Sequence, residues 1–296
     1  MTESLLIEWD DPTGETWDLG TGAQGVVLDL KQSGLGWSEI NHITARGDQR
    51  LVSSTVKRGV HTLSVLVGEG LRGQALYALR EKWWYHANSP YKDGTLRFTR
   101  PDGTVRSRRL RLAESPGIAF TYDPGLGLED KAEAWVLTGN GPWWDGPDQM
   151  AQLSSKDFDE GDGTPFYGFL GAGWPLHIAS PAWAHDAFLS NDGQGPMWPT
   201  WELVGPLFNP RFGVAGGAML AYNGEILPGE IVVVTTDPES RGVVSLPTKQ
   251  SRYRYVSGRY APIPGGARVA LDITAEYMSQ DSSIIVHGTT KYAAAF

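Results

Sequence analysis

Alternation with a period of two is the feature that most limits what this chain can fold into. Leu5-Leu6-Ile7-Glu8-Trp9 runs into a Pro12-Thr13-Gly14 turn, and then Val26, Leu28 and Leu30 share one face with Asp29 and Lys31 opposite. Leu63, Val65 and Val67 repeat the pattern, as do Leu96 and Phe98. Side chains of an extended chain point alternately to its two faces, so such segments build half-buried strands. Pro101-Asp102-Gly103 supplies a turn with glycine where a positive φ is needed. Leu110 and Leu112 follow it, alternating with Arg109 and Arg111, so residues 94–113 read as a hairpin. Further strands are expected at 117–122 and 132–137.

One segment departs from this rhythm. Between residues 71 and 85, Leu71, Ala75, Leu79 and Trp83 recur at helical spacing, which predicts one packed α-helix. Residues 148–198 lose periodicity: Asp, Gly, Ser and Pro dominate, and only 174–178 reads as a strand. A connection that long marks a domain junction or a functional loop. Strands return at 201–204, 218–222, 230–235, 242–246, 252–256, 269–277 and 283–287, with Asn223-Gly224 and Asp237-Pro238 as turns. Their short, even spacing predicts a sandwich or jelly roll. The expected fold is therefore mainly β. A domain over 1–147 carries the helix, and a β-sandwich domain over 148–296 begins with the irregular junction.

Composition narrows the chemistry. The 296 residues include no cysteine, which excludes a disulfide scaffold, a thiolate zinc site and a cysteine nucleophile. The start, Met1-Thr2-Glu3-Ser4, is not a basic leader, and the longest aliphatic run, Ile231 to Val234, is too short to span a bilayer. A soluble cytoplasmic product without membrane insertion is expected. The net charge of −9 argues against general nucleic-acid affinity. It is unevenly spread: 16 basic and 19 acidic side chains up to Pro147, then 9 and 15.

Local motifs give no catalytic, cofactor-binding or metal site. Gly20-Thr-Gly22-Ala-Gln-Gly25 has the letters of a dinucleotide fingerprint, but that loop must open a helix, and here the strand-like 26–30 follows. Asp157, Asp159, Glu160 and Asp162 could offer oxygen ligands to Ca²⁺, yet the 157–163 loop lacks EF-hand spacing and reads equally as a solvated acidic loop. The six histidines show no metal spacing, and Ser54-Thr-Val-Lys57 matches an SxxK pair with no companion motif. No cofactor is expected. Six arginines between Arg97 and Arg111 suggest a partner-binding surface or a solvated strand face. Twelve tryptophans, among them the pairs Trp83-Trp84 and Trp143-Trp144, suit interfaces or sugar-stacking platforms. Two adjacent tryptophans are not expected to face one core together, so at least one of each pair is expected to pack against a neighbouring element or another chain.

Taken in order, several of these segments resemble the distal tail proteins of long-tailed phages. The segment from Ala132 through Trp135 and Leu137 to Gly141-Pro142-Trp143-Trp144 is similar to the strand and proline-aromatic motif that end the first domain of that family. Asn191-Asp-Gly193, Trp198-Pro199-Thr-Trp201 and Gly205-Pro-Leu-Phe-Asn209-Pro210 are similar to the opening of its second, galectin-like domain. Ile263-Pro264-Gly265-Gly266 matches a turn near that domain's end. The resemblance implies an N-terminal β-barrel with one helix, a C-terminal jelly roll and no enzymatic activity. It further implies a hexameric ring at the virion's tail tip, assembled in the host cytoplasm. That ring would join the tube protein to a hub and let DNA pass. A host-wall glycan is a further partner. The residues alone leave two alternatives open: a carbohydrate-binding β-sandwich of a host-wall adhesin using Trp183 or Trp198, and a glycoside hydrolase drawing on generic carboxylates.

Overall fold

The computed structural model describes residues 4–46, 50–117, 122–127, 132–154, 187–279 and 281–296. It divides into two compact units, Met1–Pro147 with Tyr292–Phe296, and Asp148–Lys291. The second domain expected over 148–296 thus differs from this division in its last five residues. Those residues complete the core of the first unit. Ala295 is buried and its N–H donates to Leu35 O at 2.7 Å, Arg106 donates to Ala294 O, and the Phe296 ring lies against Phe98.

The strands up to the junction are β1 (Leu6–Asp10), β2 (Thr16–Asp18), β3 (Val26–Leu28), β4 (Ile40–Thr44), β5 (Leu51–Val56), β6 (Val60–Val67), β7 (Gly94–Thr99), β8 (Val105–Glu114), β9 (Ala132–Gly139) and β10 (Trp144–Ser154). The helix α1 (Gly73–Tyr85) lies between β6 and β7. The ladders of the first unit are antiparallel, and its main path runs β2-β1-β7-β8-β9-β6-β3. The β7–β8 hairpin forms as expected. Gly103 takes φ +83°, the left-handed region that favours glycine, and donates to Arg100 O.

The expected β-barrel does not close among the described residues. The two ends of the path, β2 and β3, are each three residues long. The chain between them is taken up by the tight Gly20–Gly25 turns, so a single backbone bond, Leu28 N–H to Leu19 O at 2.9 Å, joins them in place of a ladder. The glycine-rich letters form turns, with Gly25 at φ +83° against Leu79 of α1, and a strand follows them.

Helix α1 buries Leu76 and Trp83 with Leu79 beside them, while Ala75 is exposed and Leu71 lies before the helix. Leu79 and Trp83 lie on the inward face as expected, and Leu76 takes the buried place expected of Ala75. Trp83, being the largest side chain, sets the face that turns inward. Trp83 packs edge-on against Trp17 at 5.1 Å and Trp135 at 6.2 Å, and Trp9, Phe98, Leu110 and Trp144 fill the rest of this core.

The second unit contains β11 (Phe188–Ser190), β12 (Thr200–Val204), β13 (Leu207–Phe208), β14 (Arg211–Val214), β15 (Met219–Tyr222), β16 (Glu225–Ile226), β17 (Ile231–Thr235), β18 (Gly242–Ser245), β19 (Val256–Gly258), β20 (Arg268–Thr274), β21 (Tyr277–Met278) and β22 (Ser283–Tyr292). One sheet orders β18-β17-β12-β22 and another orders β11-β20-β14-β15-β19. Trp201, Leu203, Val232, Val234, Ile284 and Val286 of the first meet Phe212, Leu220, Tyr222 and Leu271 of the second in one core, with the Trp201 and Phe212 rings 5.1 Å apart. That is the expected sandwich. Residues 252–256 differ from the expected strand. Tyr255 N–H bonds back to Arg252 O at 2.9 Å, so Tyr253–Tyr255 form a single 3₁₀ turn, and extended chain begins only at Val256. The Ca²⁺-like 157–163 loop, the strand expected at 174–178, Trp174 and Trp183 lie outside the described residues, as does most of the strand expected at 117–122.

Candidate functional site

The arginines expected to mark a partner surface are mostly engaged within the first unit. Arg97 bridges Glu8 and Asp10, Arg100 pairs with Asp102, and Arg111 with Asp93. Arg106 stacks on the Tyr292 ring at 4.0 Å. Arg109 alone points outward from β8 as an exposed residue. Arg108 goes the other way. It sits on the inward face of β8 opposite Leu96, 3% exposed, donates to Gly141 O, and lies 2.9 Å from His61 Nε2. Its guanidinium fills the space that a side chain at Gly59 would need. Burial lowers the pKa of Arg108 to about 10, with Asp145 acting in the opposite sense. Burial, then the Arg108 charge, holds the His61 imidazole down at about 3. At neutral pH the pair is therefore one cation beside a neutral ring.

The tryptophans divide similarly. Trp9, Trp17, Trp83, Trp135, Trp144 and Trp201 are buried in the two cores rather than displayed. Trp84, the partner of Trp83, packs on Trp135 of the same core and donates to Glu133 at 2.8 Å. This sharing of one core runs contrary to the expectation for adjacent tryptophans, because neighbours on a helix are about 100° apart rather than opposite. Glu133 is buried, and burial raises its pKa against the opposing pulls of Trp84 and Arg80. Trp144 turns inward against His61 and Phe98, so Trp143 must turn the other way, where it meets Trp37 edge-on at 5.8 Å. Ser38 Oγ donates to Pro142 O at 3.1 Å beside it. The Gly141-Pro142-Trp143-Trp144 motif thus has one tryptophan in the core and one against the segment leading into β4.

That segment carries the most unusual surface of the first unit. Strands β4 and β5 form a two-stranded sheet of their own, and every residue of it except Val56 is exposed. Ile43 is 51% exposed, Leu51 57% and Val52 62%, and Trp37 at the base is 55%. Two paired strands without a third or a covering layer are marginal in water, and their outer edges offer unpaired backbone groups. The SxxK letters fall here too. Ser54 Oγ lies 2.8 Å from His42 Nδ1 across the ladder, and Lys57 pairs with Glu39. No carboxylate contacts His42 among the described residues, so the Ser–His contact has no orienting third group.

In the second unit a groove of about 540 Å³ is lined by Pro206, Leu207, Phe208, Glu225, Glu276 and Tyr277. Its Glu276 carboxylate accepts from Asn209 Nδ2 at 2.9 Å, which ties that carboxylate to the loop wall. Trp198, one of the two expected sugar platforms, is half-buried. Among the described residues no group of three or more His, Asp or Glu is placed to hold a metal ion, and no helix is long and apolar enough to cross a membrane.

No family model matches the sequence, and no curated protein does. Among solved structures, the chain superposes on the Dit protein of phage SPP1 with a TM-score of 0.60 at 14% identity, covering 97% of this chain and 99% of that one. This chain has the fold of a phage Dit protein. The SPP1 protein is described as a paradigm of the hub adsorption apparatus in phages that infect Gram-positive hosts. Structures of the phage P2 baseplate in its activated conformation, with Ca and with Sr, are also similar at 11% identity, each covering 99% of both chains with a TM-score of 0.49. The resemblance read from residues 132–144, 191–210 and 263–266 and the Dit fold agree.

Proposed function

We propose that this chain is a non-enzymatic structural component of a phage tail tip. It self-associates through its first unit into a hexameric ring that joins the tail-tube protein to the hub, within a virion assembled in the host cytoplasm. DNA passes through the ring without tight phosphate contacts, in keeping with a net charge of −9. The observation that carries this reading is the Dit fold over 97% of the chain. The β4–β5 ribbon, with its apolar side chains and open edges, supports the first unit as the assembling one.

Light scattering on the purified chain, alone and co-expressed with its tube protein, tests the reading. The expected mass is a multiple of 32.3 kDa, with rings visible by negative-stain imaging. Ile43→Lys combined with Leu51→Lys should abolish the assembly while circular dichroism and the melting temperature stay close to those of the parent. A parent chain that stays monomeric under both conditions would refute self-association. Rings formed undiminished by the double variant would clear the ribbon of the role.

A further inference from the structure

Charge is segregated within the second unit more sharply than its net acidity suggests. From Ser240 to Leu271 there is no aspartate or glutamate, yet Arg241, Lys249, Arg252, Arg254, Arg259 and Arg268 all fall there. That is six of the nine basic residues after Pro147, within a half-chain carrying 15 acidic ones. The same stretch contributes Tyr253, Tyr255 and Tyr260.

The fold brings part of this set together. The 3₁₀ turn puts Arg252 and Arg254 over the Tyr255 ring, at 5.6 and 4.8 Å, where an extended strand would have sent arginines and tyrosines to opposite faces. Tyr255 is stacked from beneath by the buried Tyr222 at 5.6 Å. Arg241 lies 4.5 Å over the Tyr260 ring. The Tyr253 phenol is close enough to Tyr260 to raise the latter's pKa, secondarily to burial. Arg252 is held by Glu230 at 2.8 Å, which leaves Arg241, Arg254 and Arg259 exposed together with a 48%-exposed Tyr253. Arg254 Nη2 donates to the Tyr255 hydroxyl at 2.8 Å, which pins that guanidinium beside the ring through one of its five N–H groups. The others, like those of the exposed Arg241, are left for a ligand.

We propose that this arginine–tyrosine band binds an anionic cell-wall polymer of phosphodiester-linked sugar or polyol units. The guanidinium forks would take the phosphates, and the Tyr253 ring would pack against the C–H faces between them. Charge complementarity selects an anionic partner, and bidentate arginine geometry suits phosphate. The tail-tip reading enters only in saying where such a polymer would be met.

The test is binding of the full chain to a purified polyol-phosphate wall polymer, with neutral dextran and a single-stranded oligonucleotide as comparators. The expected result is saturable binding to the wall polymer, weakening with salt and absent for dextran. Arg254→Ala combined with Tyr253→Ala should weaken it about tenfold or more. Arg254→Lys, which keeps the charge and loses the fork, should fall between. Ring formation should be unchanged in these variants. Conversely, the Ile43→Lys, Leu51→Lys chain should keep its per-protomer affinity, so loss of assembly and loss of binding are read separately. The proposal is overturned by no saturable binding, by equal affinity in the double variant, or by binding to the oligonucleotide alone. It also falls if the band proves to mediate only self-association that the double variant removes.

Discussion

Acidification should act on the first unit through His61, and the size of the effect follows from its surroundings. A histidine in the unfolded chain titrates near 6.5, whereas His61 in the fold is held at about 3 by burial and by the Arg108 charge. Arg108, titrating at about 10, stays cationic across the whole acidic range, so the repulsion does not relax as the pH falls. Between those two histidine values the unfolded state binds a proton that the folded state does not. Stability therefore rises with pH through that window and is lost on going down. From pH 7 to pH 4 the loss works out at about 3 kcal/mol for this one group. Carboxylates with lowered folded values, Asp11, Asp18 and Glu230 among them, are destabilised by acid in the same direction, so the wild-type slope alone does not isolate the histidine.

The variant that does so is His61→Gln, whose amide oxygen can still accept from Arg108. Urea unfolding of the first unit's transition at pH 7 and pH 4, for both chains, gives a difference of differences. The His61→Gln chain should lose roughly 3 kcal/mol less than the parent over that interval, while differing little from it at pH 7. Equal losses in the two chains would mean that His61 is solvated or already protonated in the fold, and the buried cation–imidazole pair would have to be abandoned.

Three further outcomes follow from the same packing. Gly59→Ala should destabilise by about 1–3 kcal/mol, because its methyl group would meet the Arg108 guanidinium, which has little room to move; unchanged unfolding would place that guanidinium elsewhere. Trp83→Ala should cost about 3–5 kcal/mol in denaturant unfolding, since Trp83 is buried between Trp17 and Trp135. Ala295→Asp should lower the first unit's stability by at least ~2 kcal/mol, as it would bury a carboxylate with no cation given to it, whereas the exposed substitution Leu30→Asp should be nearly silent.

Much of this fold was legible because its signals are local. The β7–β8 hairpin follows from alternation plus a glycine at the one position of the turn that needs positive φ, and the sandwich strands 200–204 and 231–235 follow from alternation alone. The failures have a common physical origin in context. Residues 252–256 alternate like a strand, but the backbone turns so that both arginines reach one ring. Strands β4 and β5 were not foreseen because a ribbon exposed on both faces has no buried face to write a period into the sequence. Strand β10, with Gly146 and Pro147 inside it, breaks the propensity rules that would identify a strand. The closing of the first core by residues 292–296 is a contact at long sequence separation, which no local pattern encodes.

Tryptophan and arginine counts point to interfaces only if those side chains are displayed, and here they are largely consumed. Six tryptophans fill the cores, and five of the six arginines of the β7–β8 region have partners within their own unit. Their abundance is accounted for by packing two β-rich cores with large flat side chains and by holding strand faces with ion pairs. Outside that accounting, among the described residues, stand Arg109 on β8, the uncovered β4–β5 ribbon with Trp37 in the first unit, and the arginine–tyrosine band in the second. An aliphatic ribbon with open edges suits a partner that contributes strands or apolar area, which a second copy of this chain does. A cationic aromatic band in an acidic unit is poorly suited to that role and well suited to an anionic polymer. The two surfaces therefore predict separable phenotypes, assembly without polymer binding when the band is altered and per-protomer binding without assembly when the ribbon is.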